Sequence, residues 1–221
     1  MMKTAGDGIM ATTETPSFNL VPVLDEAAKQ LIKSDVSPYV RLRQFVLGGM
    51  SGDAEKFKLL YSNYYGLRFA GLTPQFKETY FRILFAHRPH TEDDPYTPIL
   101  RRLYDIQTFR GTRIVAASFV SKLVAIHDDA RPLYDSRVGA FFGIGVPAIK
   151  SPAIKSPEFR IAGFVQNLCV IRSRYEVWQK SPEIVEIIEM VRHKMPQLAD
   201  THPNRICDFL VCHAAPKKVG Q

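Results

Sequence analysis

Ser118-Phe-Val-Ser-Lys-Leu-Val-Ala-Ile-His-Asp-Asp-Ala-Arg-Pro-Leu-Tyr-Asp-Ser-Arg-Val138 holds the pattern on which the fold turns. A helix bearing Lys122 ends near His127, a short loop with Pro132 follows, and Asp135 stands where the N-cap of the next helix belongs. A carboxylate there accepts backbone N–H bonds and sits at the positive end of the helix dipole. Asp135 therefore has a structural use whatever else it does.

Outward from this segment the helical pattern continues in both directions. Leu24 to Ile32 carries apolar residues at helical spacing, with Asp25 and Glu26 early. Ser37-Pro38 opens Tyr39 to Leu47, and Gly48-Gly49 stops it. Ser51 is the expected N-cap of Asp53 to Tyr64, where Phe57, Leu60, Tyr61 and Tyr64 share a face before Gly66 ends it. Thr73-Pro74 starts a helix with Phe76, Tyr80, Ile83 and Leu84 in a stripe that ends near Phe85. His87 to Pro98 reads as a polar loop holding Glu92, Asp93 and Asp94, and Ile99 to Tyr104 as a short helix. Thr112 to Ile126 is the longer helix that bears Lys122, and Asp135 to Phe142 is a short one closed by Gly143.

Further on, Pro147-Ala-Ile-Lys-Ser151 repeats as Pro152-Ala-Ile-Lys-Ser156, and its prolines preclude a regular helix. It reads as an extended basic loop. Phe159 to Lys180 resumes helical character around Trp178. Ser181-Pro182-Glu183 begins an amphipathic helix on which Ile184, Ile187, Ile188 and Val191 recur. Pro203 opens the last helix, with Ile206, Phe209 and Leu210 inward. Alternating apolar and polar runs are scarce, so few strands or none are expected. The fold class read from this pattern is all-α: a single helical domain over 17–214 with long loops, a flexible leader at 1–16 and a basic tail at 215–221.

Hydrophobic residues at 46% and charged residues at 23% are globular proportions and argue against a disordered or fibrous chain. Lys and Arg total 29 against 22 acids, and this net +7 favours a polyanionic partner. Cys169, Cys207 and Cys212 are odd in number and form no C-x-x-C pair, which fits a reducing compartment rather than a disulfide framework. His87 and His90 flank Arg88-Pro89 in a loop and make a weak metal pair, so no metal is assigned. The N-terminal stretch lacks the apolar core of a signal peptide, and no apolar run is long enough to span a bilayer. A soluble, cytoplasmic protein without membrane association is expected. There is no Walker A, dinucleotide fingerprint or G-x-S-x-G element, so no cofactor is expected. Asp93-Asp94 and Asp128-Asp129 read as solvated loop acids rather than an acid–base pair.

The order of a lysine on a helix, a proline loop, then Asp135-Ser-Arg-Val138 opening the next helix resembles the helix-hairpin-helix superfamily of DNA glycosylases. It is most similar to a bacterial 8-oxoguanine-DNA-glycosylase-like branch that runs Ser-Lys-Leu, a short apolar stretch, then Pro-hydrophobic-aromatic-Asp-Ser-Arg-Val. Asn204-Arg-Ile-Cys-Asp-Phe-Leu210 resembles that branch's C-terminal helix. The match covers about 30 residues. It departs from the superfamily where a glycine-rich hairpin should precede the lysine: Arg110-Gly-Thr-Arg113 and Ala116-Ala-Ser-Phe-Val120 stand there instead. The Lys-to-Asp separation is also shorter than usual.

The resemblance implies a DNA repair glycosylase, with or without a lyase step, that excises a damaged base such as 8-oxoguanine from double-stranded DNA and works as a monomer near the nucleoid. Lys122 would attack C1′, which needs a neutral amine, and Asp135 would stabilise the positive charge developing on the sugar. The phosphate contacts fall to Arg113, Arg131, Arg137, Lys150 and Lys155. Because the target base must leave the stack, Phe119, Tyr134, Phe141 and Trp178 are the aromatic candidates to line its pocket. Two alternatives stay open. One is a glycosylase-derived module that binds nucleic acid without catalysis. The other is an interaction protein in which Asp135 only caps a helix and Lys122 is solvated.

Overall fold

The computed structural model describes residues 20–87, 94–145 and 156–215. The leader, His90, the repeat with Lys150 and Lys155, and the tail beyond Ala215 lie outside the described residues. In chain order the helices are α1 (Leu20–Ile32), α2 (Ser37–Leu47), α3 (Ala54–Tyr64), α4 (Pro74–Ala86), α5 (Tyr96–Tyr104), α6 (Ala117–His127), α7 (Ser136–Phe142), α8 (Pro157–Trp178), α9 (Pro182–Lys194) and α10 (Pro203–Ala214). No strand occurs among the described residues, and the all-α expectation holds.

Side chains start several of these helices by accepting the backbone hydrogens that lack a partner inside the helix. Thr73 Oγ1 accepts from Phe76 N at 3.3 Å, with Pro74 at the first helical position. Ser156 Oγ accepts from Phe159 N at 3.1 Å. Asp53, not Ser51, caps α3, taking Glu55 N and Lys56 N on one oxygen, while Ser51 bonds back to Gly48 O. A carboxylate facing the first turn offers a stronger acceptor than a hydroxyl that is already committed.

The inward face of α3 carries Phe57 and Tyr61 and is continued by Tyr65 just past its end, whereas Tyr64 is exposed. α5 begins earlier than expected because Asp94 accepts from Tyr96 N at 2.9 Å and Thr97 N at 3.0 Å. The expected loop to Pro98 therefore ends sooner. α6 begins later, at Ala117. The β-branched pair Ile114-Val115 stays non-helical, as restricted side-chain rotation favours.

One contiguous core unites the helices. α10 is its axis: every residue from Asn204 to Val211 is buried, and α10 packs on α1, α7, α8 and α9. α6 is the second inner helix, lying against α2 and α5. The Tyr80 hydroxyl ties α4 to it by donating to Phe119 O at 2.8 Å. The loop between α6 and α7 runs between these inner helices, and it connects Lys122 to Asp135.

Candidate functional site

Lys122 lies on α6 and is half-buried. Its amine turns back one helical turn to donate to Ser118 Oγ at 3.1 Å. It rests over two rings, 5.8 Å from the centroid of Phe119 and 5.9 Å from that of Tyr65. Burial lowers its pKa below the ordinary lysine value, opposed by the charges of Asp135 and, more weakly, Cys212. No ion pair within salt-bridge distance joins Lys122 to Asp135, so the two act on each other through space.

Asp135 has extended backbone, φ −149° and ψ −174°, and caps α7 as the sequence predicts. Its Oδ1 accepts from both Arg137 N at 2.8 Å and Val138 N at 3.0 Å. None of the described residues donates to Oδ2, so that oxygen stays open to a further partner. α7 ends on Gly143 at φ +65°, a left-handed conformation suited to glycine, with Ile144 N returning to Gly139 O at 2.8 Å. The Arg174 guanidinium donates to Phe142 O at 3.0 Å and covers the negative end of the same helix.

The loop from Asp128 to Tyr134 is held at nearly every residue. Ser121, fully buried and adjacent to Lys122, donates to Tyr134 O at 3.1 Å and accepts from Tyr134 N at 3.0 Å. One hydroxyl thus links the lysine helix to the residue preceding Asp135. Asp208, also fully buried, accepts from Leu133 N at 3.1 Å and the Tyr175 hydroxyl at 2.9 Å, and pairs with Arg205 at 2.5 Å. Arg205 in turn donates to Ala125 O at 3.0 Å and Arg131 O at 3.1 Å.

Burial pushes the Asp208 carboxyl up to about 7, while Arg205, Leu133 N–H and the Tyr175 hydroxyl pull it down. The charge of Asp135 acts with burial in raising it. Asn204 Nδ2 donates to Ala130 O at 2.6 Å. Asp129 accepts from His202 N at 3.0 Å and pairs with Arg43 at 3.3 Å, while Arg43 also donates to Ile126 O and His127 O at the end of α6. Asp128 and Asp129 are therefore not solvated loop acids but supports of the loop.

Among the other residues singled out from the sequence, Phe119 does lie beside the lysine. Tyr134 is buried edge-on to Phe164, and Phe141 and Trp178 join an aromatic cluster with Phe142 and Tyr175. Arg131 turns inward, its Nε 3.3 Å from Asp128. Arg113 and Arg137 are exposed. His87 stacks edge-on against His127, with ring centroids 5.0 Å apart.

The residues around the pair to which the sequence assigned no role are Tyr65, Ser121, Arg205 and Asp208. Burial pushes the Cys212 thiol up to about 12, with the charges of Asp135 and Asp208 acting in the same sense and those of Arg137 and Lys122 against it. The signal for Arg205 and Asp208 was present: a cation and an acid three apart on an otherwise apolar helix. Two shallow surface depressions, of about 380 and about 270 Å³, include neither Lys122 nor Asp135. Compared with known proteins, the chain matches no family model, no curated protein and no solved structure.

Proposed function

We propose that the chain is a DNA glycosylase that excises a damaged base from duplex DNA, with Lys122 as nucleophile and Asp135 as the stabilising carboxylate. The observation that carries this reading is the half-buried Lys122 amine. Its pKa is lowered by burial, and it is held by Ser118 within the field of a carboxylate fixed on a helix N-terminus. The neutral amine attacks C1′, and the base departs with the electron pair of the glycosidic bond. The amine then loses a proton, the C1′–O4′ bond breaks as O4′ takes up a proton from solvent, and an iminium is left between Lys122 and C1′. Asp135, with Oδ2 open, offsets the positive charge that spreads over the sugar as the base leaves. This chemistry calls for no metal or cofactor. A lyase step would follow from the iminium by elimination.

Borohydride trapping tests the reading on duplexes carrying 8-oxoguanine or an abasic site, with wild type, Lys122→Gln and Asp135→Asn compared. A covalent adduct is expected with wild type and none with Lys122→Gln. Asp135→Asn is expected to slow adduct formation by at least tenfold, the loss of roughly 1.4 kcal/mol of transition-state stabilisation. An adduct that survives Lys122→Gln would assign the nucleophile elsewhere.

A second reading, a glycosylase-derived module that binds nucleic acid without cutting the glycosidic bond, draws support from the exposed Arg113 and Arg137 together with the lack of an ion pair between Lys122 and Asp135. No adduct and no base release across a lesion panel, with binding that weakens steeply as salt rises, would favour it.

A further inference from the structure

The loop between α6 and α7 is held to the body of the protein by side chains from two other helices. Arg43 of α2 pairs with Asp129, while Asn204, Arg205 and Asp208 of α10 reach Ala130 O, Arg131 O and Leu133 N. Ser121 holds the same loop from α6 itself. Its hydroxyl accepts from Tyr134 N at 3.0 Å, and its one hydrogen is offered to two carbonyl oxygens, Tyr134 O and Ser118 O, each at 3.1 Å.

A helical serine that bonds back to the carbonyl of the preceding turn is ordinary. Ser121 differs because it is fully buried and also takes the backbone hydrogen of a residue far along the chain. Ser121 immediately precedes Lys122, and Tyr134 immediately precedes Asp135. The same turn of α6 carries Ser118, whose hydroxyl accepts from the Lys122 amine at 3.1 Å. The Tyr134 ring packs edge-on to Phe164, with centroids 5.5 Å apart, which keeps that residue from turning about its bonds to Ser121. The two halves of the candidate site therefore meet at one hydroxyl.

We propose that Ser121 is the positioning residue of the Lys122–Asp135 site, and that its hydroxyl sets how far the amine stands from the carboxylate. Being fully buried, Ser121 acts through Lys122 and Tyr134 rather than on the sugar. Hydrogen bonds in such low-dielectric surroundings are strong, and supporting bonds of this kind hold reacting groups in their productive geometry. A displacement of about 1 Å at a reacting group is enough to slow attack roughly a hundredfold. This inference rests on the glycosylase reading for the reaction, but the spacing that Ser121 fixes is present without substrate.

The test uses the full chain as wild type, Ser121→Ala, Ser121→Thr and Ile188→Val, the last a core change on α9. Two quantities are read across pH: the rate of borohydride trapping on an abasic duplex, and the Cε chemical shift of Lys122 in isotope-labelled protein, assigned by its absence from Lys122→Gln. The urea midpoint of each variant is recorded. The charge of Asp135 raises the Lys122 pKa against burial, with Cys212 acting in the same sense. Loosening of Asp135 in Ser121→Ala is therefore expected to move the Lys122 titration and the midpoint of the trapping profile to lower pH. Misplacement is expected to lower the plateau of that profile by about tenfold. Ser121→Thr, which keeps the hydroxyl, restores both. Ile188→Val lowers the urea midpoint and moves neither.

A Lys122 titration that is unmoved in Ser121→Ala would overturn the proposal, whatever the plateau does. An equal displacement in Ile188→Val would overturn it too, because the change would then follow from lost stability alone. So would Ser121→Thr behaving as Ser121→Ala at the wild-type urea midpoint. If wild type forms no adduct, the glycosylase reading fails and the Lys122 titration still decides the role of Ser121. Displacement in Ser121→Ala but not in Ile188→Val would then uphold Ser121 as the residue that spaces amine and carboxylate.

Discussion

Lys122 illustrates how position alone sets the surroundings of a charged side chain. Its stem lies along apolar surface, its amine meets one hydroxyl and two ring faces, and the nearest carboxylate acts only through space. A lysine with the same sequence neighbours on an outer helix would be solvated and fully protonated. Gly139 makes the complementary point about space. A Cβ there would stand 2.6 Å from Ile144 O, the carbonyl beyond the helix end, and 3.4 Å from the Tyr134 hydroxyl oxygen. Gly139→Ala is expected to cost about 1–3 kcal/mol, the usual penalty for overpacking, despite alanine's better helix propensity. The midpoint of urea denaturation measures it, and an unchanged midpoint would mean that the end of α7 shifts at no cost.

At the scale of elements, the start of α10 depends on a titratable cap. His202 Nδ1 accepts from Asn204 N at 3.1 Å, which only the neutral ring can do. Burial lowers the His202 pKa below 6.5, against the pull of Asp129 and then Asp128. A basic group with a folded pKa below its unfolded value leaves the folded state less stable once protonated. Stability is therefore intact above pH 6.5 and falls as pH drops from there through the lower, folded pKa. Thermal melting between pH 7.5 and 5 should show this decline, and His202→Asn, which keeps an acceptor that does not titrate, should flatten it. A decline of the same size in His202→Asn would place the sensitivity elsewhere.

Some helix boundaries were legible from short-range chemistry. Thr73-Pro74, Asp135 and Gly143 carry their function in one or two residues. Ser51 misled because two acceptors stood close together, and only the carboxylate of Asp53 faced the first turn. The length of α6 was overread because an apolar stretch has no sharp edge, and Ile114 and Val115 are apolar without being helical.

For the whole molecule, the Arg205–Asp208 pair joins α10 to α8 through Tyr175, to α6 through Ala125 O and to the loop through Leu133 N. Both side chains are buried, at 1% and 0% exposure, so removal of the Asp208 carboxylate leaves the Arg205 guanidinium charged and unmatched. Asp208→Asn is expected to destabilise the fold by about 3–5 kcal/mol. The double variant Arg205→Leu with Asp208→Leu should lose less than the sum of Arg205→Leu and Asp208→Leu made singly. Chemical denaturation of the four proteins decides this, and strict additivity would mean that the pair does not act as a unit.

The helical class, the stripes of Phe76, Tyr80 and Leu84 or of Ile184, Ile188 and Val191, and the cap at Asp135 all follow from interactions within one or two turns. They can be read from neighbours along the chain. Whether Asp128 and Asp129 are solvated, which aromatics reach Lys122, and what Ser121 and Asp208 hold depend on residues brought together across 70 or more positions in several cases, as in Leu133 with Asp208 and Asp129 with His202. Hydrogen bonds and burial of that range leave little periodic trace in composition. A buried acid and a solvated one are the same letter until the helices pack around it.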